Sequence, residues 1–195
     1  MTRFEQQMNF ILEMDKMKSI QRQTYLADGS RKEDDAEHSW HLTLMAFVLA
    51  EYANESVDVL KTMKMVMLHD VIEIDAGDTY AYDTAANATK RERELKAAKR
   101  IFGLLPEDQE SDYRALWDEF EAMETMEAKF ANCLDKIQPI LLTNQAHGKS
   151  WKEHGVQKSQ IMGRNARTGE GSQELWTYVK KLIDNNIGNG NIKDE

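Results

Sequence analysis

Residues 34–49 read DDAEHSWHLTLMAFVL. Asp34 followed three residues later by Glu37 has the form of a capping box, in which each side chain satisfies a backbone N–H left unpaired by the first helical turn. Leu42, Met45 and Leu49 recur beyond it at helical spacing, and His38 falls on the same face. The stretch therefore predicts a helix that carries an imidazole among its apolar residues. Taken alone, that imidazole reads as a core histidine bonded to a carbonyl.

The same period runs through the rest of the chain. Phe4, Met8, Ile11, Leu12 and Met17 predict a first helix over 4–20. A helix from about 56 continues past His69 and stops at the turn Asp75-Ala76-Gly77-Asp78. Helices over 89–102 and 107–120 are separated by Leu105-Pro106, and a long one from 125 carries Phe130, Leu134, Ile137 and Leu141. Pro139 is expected to kink that helix, because proline removes a backbone donor and clashes with the preceding turn. A last helix starts at the N-cap Ser172 and buries Leu175, Trp176, Val179 and Leu182. The expectation is one domain over 1–185 and a flexible tail over 186–195.

Composition supports an all-α fold. Two Pro and 10 Gly in 195 residues leave few turns for a β-sandwich or barrel, whereas Met, Ala, Leu, Glu and Lys are helix formers. No apolar run approaches 18 residues and the N-terminus MTRFEQQMNF lacks a signal-peptide core, so neither membrane spanning nor secretion is expected. The lone Cys133 has no partner for an internal disulfide and fits a reducing cytoplasm. A net charge of −9 disfavours a nucleic-acid polymer as partner, although a local metal can still admit a small phosphorylated substrate.

Ligand-type residues stand beside apolar ones in four places: Glu37-His38-Ser39-Trp40-His41, His69-Asp70-Val71-Ile72-Glu73, Asp75-Ala76-Gly77-Asp78 and Cys133-Leu134-Asp135-Lys136. His69-Asp70 ends the apolar run Met65-Val66-Met67-Leu68, where an unpaired buried carboxylate would take up a proton or weaken the fold. By itself the pair reads as an Asp–His hydrogen bond. Asp135 by itself reads as a surface carboxylate pairing with Lys129 or Lys136. Together with His38, these are three ligand-type oddities on three helices, and a divalent cation would satisfy all of them.

The order His38 … His69-Asp70 … Asp135 resembles the H…HD…D pattern of HD-domain metal-dependent phosphohydrolases. Ala36-Glu37-His38-Ser39-Trp40-His41, His69-Asp70-Val71-Ile72-Glu73-Ile74-Asp75-Ala76-Gly77-Asp78 and Leu134-Asp135-Lys136-Ile137-Gln138-Pro139 are similar to the 5′-deoxynucleotidase subfamily, over residues 5–185. The resemblance implies a single all-α domain of the HD superfamily, a metal site between its helices and a homodimer. It also implies hydrolysis of nucleoside 5′-monophosphates, the deoxy forms especially. His38, His69, Asp70 and Asp135 match the ligands of one divalent metal ion, and mixed imidazole and carboxylate ligation suits Mn, Co, Fe, Ni, Zn or Mg. His41 is expected beside the site rather than in the ligand set.

The resemblance gives roles to four further residues. Glu73 would protonate the leaving oxygen or orient water, and Asp78 would hold a sugar hydroxyl or activate water. In Lys18-Ser19-Ile20-Gln21-Arg22-Gln23-Thr24-Tyr25, Arg22 matches the phosphate-binding arginine and Tyr25 the aromatic residue near the nucleoside. Gln23 departs from the aromatic residue that relatives commonly place after the arginine, which leaves base and sugar preference open.

Other features read as ordinary. Lys90-Arg91-Glu92-Arg93-Glu94 reads as a solvated face, and Cys133 as a packed thiol. His147, Trp151 and His154 either cover a pocket or pack, and Arg164 and Arg167 either reach a phosphate or cap a turn. The expected function is a metal-dependent phosphomonoesterase. The alternatives are hydrolysis of a cyclic nucleotide or nucleoside polyphosphate, and a non-catalytic nucleotide-binding regulator.

Overall fold

The helix starts legible as capping signals are helix starts in the structure. The computed structural model describes residues 1–77 and 89–194. Helix α1 (Arg3–Met14) opens on a Thr2/Glu5 capping box and tightens into a 3₁₀ turn over Asp15–Ser19, so the expected single helix over 4–20 is two elements. Helix α2 (Asp35–Val48) opens on the Asp34/Glu37 box, with Glu37 N donating to Asp34 Oδ1 at 2.9 Å and Asp34 N to Glu37 Oε2 at 3.1 Å. Between them lies an unpredicted antiparallel hairpin, β1 (Gln21–Tyr25) and β2 (Lys32–Asp34), with Gln21 opposite Asp34 and Tyr25 opposite Lys32.

Helix α3 (Val59–Leu68) is capped by Asp58 and gives way to the short α4 (Glu73–Ala76). Gly77 ends α4 at φ +73°, in the left-handed region where glycine has no Cβ to clash. Helices α5 (Lys90–Phe102), α6 (Glu107–Ala122) and α7 (Met126–Gln145) follow, and α7 continues through Pro139 as helix on both sides. The segment around Gly148 and Gly155 holds two short helices, α8 (Lys149–His154) and α9 (Lys158–Arg164). The last helix, α10 (Gln173–Gly188), starts where Ser172 accepts from Leu175 N at 3.1 Å.

Helix α3 separates two apolar cores. Met65 and Val66 face one with Leu42, Phe130, Leu134 and Val179, while Leu68 faces the other with Phe10, Ile101, Phe102 and Trp117. Phe130, Leu134 and Ile137 are 0%, 0% and 1% exposed. At roughly 1.5–3 kcal/mol per buried side chain, they fix which face of α7 turns inward. Asp135, between Leu134 and Ile137, is carried toward the seam where the two cores meet.

The end of the chain corrects an expectation. Residues 186–195 were expected to be a flexible tail, yet α10 extends to Gly188 and Ile192 joins the first core at 3% exposure. Lys193 N donates to Val156 O at 3.0 Å and Lys158 N to Lys193 O at 2.8 Å, which ties the last described residues to α9. Asn and Gly suggested fraying, but a single buried isoleucine and backbone pairing hold the segment. Among the described residues, no helix is long and apolar enough to cross a membrane.

Candidate functional site

Three helices bring the expected ligands together. His38 lies one turn inside α2, His69 is the C-cap of α3, and Asp135 sits midway along α7. His38 Nε2 is 3.2 Å from Asp135 Oδ1 and 3.9 Å from Asp70 Oδ2. His69 Nε2 is 3.0 Å from Asp70 Oδ2 and 3.6 Å from Asp135 Oδ1. Trp117 Nε1 anchors the helix end by donating to the His69 carbonyl at 3.2 Å.

The far side of each imidazole is already engaged. His69 Nδ1 faces Val66 O at 2.9 Å, and a carbonyl can only accept, so Nδ1 carries the proton. His38 Nδ1 faces Gln138 Oε1 at 3.1 Å in the same sense. With both rings neutral, each turns an Nε2 lone pair toward two carboxylate oxygens, His38 Nε2 lying 3.2 Å from Asp135 Oδ1. Lone pair against carboxylate is repulsive, and buried His69 Nε2 has no hydrogen-bond partner. His38, His69 and Asp135 each offer a ligand atom within 4.8 Å of the others, with Asp70 grouping instead with Asp35 and Glu73, and these donor types fit a divalent cation.

The electrostatics carry the same message. Burial, then the charge of Arg22, pushes the His38 pKa down to about 4. For His69 burial acts downward too, but Asp70 and Asp135 outweigh it and hold the pKa well above the usual imidazole range. Asp70 and Asp135 are held low despite burial, chiefly by the two histidines. The protein alone thus answers the carboxylates by favouring a protonated imidazole, the role a metal ion fills with both rings neutral.

Arg22 reaches the cluster from β1. Its guanidinium lies 2.8 Å from Asp70 Oδ2 and 3.0 Å from Asp35 Oδ1, with Nε 3.4 Å from Glu33 Oε1. Burial lowers its pKa, but the charges of Asp70, Asp35, Asp135 and Glu73 outweigh it and raise it. Glu73, the first residue of α4, is 8% exposed and groups with Asp35 and Asp70. Asp35 is raised to about 7 by burial and then by the Asp70 charge, while its hydrogen bonds with Arg22 and Glu73 pull it down. Burial raises Glu33 to about 7 against the opposing influence of Arg22 and Gln138.

Not every expected residue joins. Tyr25 donates its hydroxyl to Glu153 at 3.0 Å, and Lys149 Nζ sits 4.0 Å from its ring centroid. Its contacts are with α8 rather than the ligand cluster, because the hairpin closes on that helix. His41 Nδ1 is 3.2 Å from Gln138 Nε2 and lies outside the ligand set. Trp151 is buried in the first core, and Arg167 pairs with Glu170 at 2.9 Å and donates to Met123 O at 3.0 Å. Asp78 lies outside the described residues.

Sequence reading missed Glu33, Asp35 and Gln138, all buried around Arg22 and His38. The supposed solvated face of α5 is also partly built in. Glu94 is buried and pairs with Lys90 at 3.3 Å, Arg91 covers the Trp117 ring at 5.0 Å, and Arg93 donates to Ala76 O. The Lys90 pKa is raised by Glu94, Glu73 and Asp70 against burial, which puts its ammonium within electrostatic reach of the cluster.

Comparisons with known proteins fit this geometry. A predicted metal-dependent phosphohydrolase from Magnetospirillum magnetotacticum MS-1 is 48% identical and superposes with a TM-score of 0.93, over 97% of this chain and 95% of that one. Human 5′-deoxynucleotidase HDDC2 is 30% identical over 115 residues, 59% of this chain and 55% of that enzyme. The bovine enzyme of the same name is 27% identical over 139 residues, 71% and 66% respectively. The chain thus spans 55% and 66% of the length of these two relatives. The HD domain profile matches residues 14–176, and the chain belongs to the HD-domain family.

Proposed function

We propose that this protein is a metal-dependent phosphohydrolase that removes phosphate from nucleoside 5′-monophosphates, the deoxy forms preferentially. The observation that carries the reading is the convergence of two lone-pair-bearing histidines and two carboxylates, with the Arg22 guanidinium 2.8 Å from one of them. The names of the Magnetospirillum and mammalian relatives support it in turn, the first for the reaction class and the second for the substrate.

His38, His69, Asp70 and Asp135 would hold the cation. When bound, a divalent ion supplies Lewis acidity, neutralising phosphoryl charge and lowering the pKa of attacking water. Arg22 is preset beside that position by Glu33 and Asp35 and takes a phosphate oxygen by a charge-assisted contact. Glu73, buried at the start of α4, handles the proton of the leaving oxygen, and Asp78 contacts the sugar or the water. Phosphate release measured over a panel of divalent metals and of ribo- and deoxynucleoside mono-, di- and cyclic phosphates tests the reading. Fastest turnover on a deoxynucleoside monophosphate is expected. Metal uptake with no turnover on any ester would move the assignment to a nucleotide-binding regulator.

The proposal includes a second copy of the chain. Ile11 of α1 and Leu60 and Met67 of α3 are exposed and line an apolar groove of about 520 Å³, to which α2 contributes Ala36, Ser39 and Thr43. Exposed apolar side chains lining a groove favour an association face, and a twofold copy would set such side chains into the facing groove. Light scattering is expected to give twice the 22.5 kDa chain mass, and Ile11→Glu, on the groove itself, to give the monomer. A monomeric wild type would remove the second copy from the proposal.

A further inference from the structure

We infer that Gln138 is a positioning residue: its buried amide fixes the tautomer of His38 so that Nε2 is free for a cation. The inference rests on the metal-centre reading. Gln138 is 0% exposed and lies one turn beyond Asp135 on α7. An amide buried there is destabilising unless its donors and acceptor are bonded. All of them are: Oε1 is 3.1 Å from His38 Nδ1, and Nε2 is 3.0 Å from Glu33 Oε2 and 3.2 Å from His41 Nδ1.

The partners also settle which way the amide points. The Glu33 carboxylate, 3.4 Å from the Arg22 guanidinium, accepts hydrogen bonds, so the NH₂ end must face it. Oε1 is left for His38, and an oxygen facing Nδ1 requires the proton on Nδ1. The lone pair is then on Nε2, toward Asp135 and Asp70. The chain of contacts Arg22–Glu33–Gln138–His38 also couples the proposed phosphate-binding arm to a ligand of the metal. His69 keeps a proton on Nδ1 through the Val66 backbone carbonyl, which no side-chain substitution on α7 removes. It serves as an internal control.

The test uses the full chain at pH 8. In metal-free wild type, long-range ¹⁵N–¹H correlation of the imidazoles should show His38 protonated at Nδ1 alone and His69 protonated at Nδ1 whatever the state of its Nε2. In Gln138→Leu, similar in volume and unable to accept, His38 should lose that signature while His69 keeps it. Mn²⁺ affinity should fall about 10–100-fold, the usual consequence of removing a ligand's orienting partner. Gln138→Glu, whose carboxyl can accept from His38 and share a proton with Glu33, should restore the tautomer and return affinity to within about threefold of wild type. A residue that merely packs would give a Gln138→Leu protein with the wild-type tautomer and wild-type Mn²⁺ affinity, and that result overturns the inference. Wild type with the expected tautomer but no Mn²⁺ binding would instead overturn the metal-centre reading, so the two failures are separable.

Discussion

Asp70→Ala is expected to strip the metal and bring phosphate release to the background rate while leaving helical content unchanged. Asp70 Oδ2 is the point where the site's charges meet, 3.0 Å from His69 Nε2, 3.9 Å from His38 Nε2 and 2.8 Å from Arg22. Its loss removes a ligand itself, so the affinity drop should exceed the roughly 10–100-fold that follows loss of an orienting partner. The fold should survive because Arg22 keeps Asp35 at 3.0 Å and Glu33 at 3.4 Å, leaving no buried charge alone. Elemental analysis after dialysis against Mn²⁺, circular dichroism and a phosphate assay check the three parts. Full metal occupancy in the variant would remove Asp70 from the ligand set.

That expectation was largely legible without coordinates, because each ligand-type residue breaks a pattern. His38 interrupts an apolar stripe, His69-Asp70 ends an apolar run, and Asp135 sits among core positions. The surrounding carboxylates break no pattern. Asp35 follows Glu33 and Asp34 in a charged run that resembles any solvated turn, yet it becomes the first residue of α2 and turns inward. The hairpin that brings Arg22 to Asp70 has strands of five and three residues with almost no apolar alternation, too short for periodicity to register. Gln138 was within reach: it stands three residues from Asp135, on the same face of a helix already read as buried. The short helices α8 and α9 escaped for the hairpin's reason, since six and seven residues give less than two full turns of pattern.

The packing of Arg22 changes what its removal should do. From a phosphate-binding role alone, Arg22→Ala would raise KM and little else. In the structure the same guanidinium is the charge that meets Glu33, Asp35 and Asp70 together. Breaking a buried ion pair on one side typically costs about 3–5 kcal/mol. The variant should therefore lose thermal stability as well as substrate affinity, and added Mn²⁺ should recover part of the stability.

Glu73→Gln separates proton transfer from binding. Glu73 and Asp35 bring carboxyl oxygens within 4.8 Å of each other beside the ligand cluster, and burial raises the Asp35 pKa to about 7. Glutamine in its place can still donate to Asp35 and fills the same volume, but it cannot release a proton to a leaving oxygen. The four ligands and Arg22 are untouched. Metal content and KM should accordingly stay near wild type while kcat falls by about 10²–10⁴, the usual range for removing a general acid or base. Arg22→Ala should show the converse, a raised KM with the smaller share of the loss in kcat. Near-normal kcat in Glu73→Gln would transfer the proton to Asp78 or to water, and a loss of metal would make Glu73 a ligand rather than an acid.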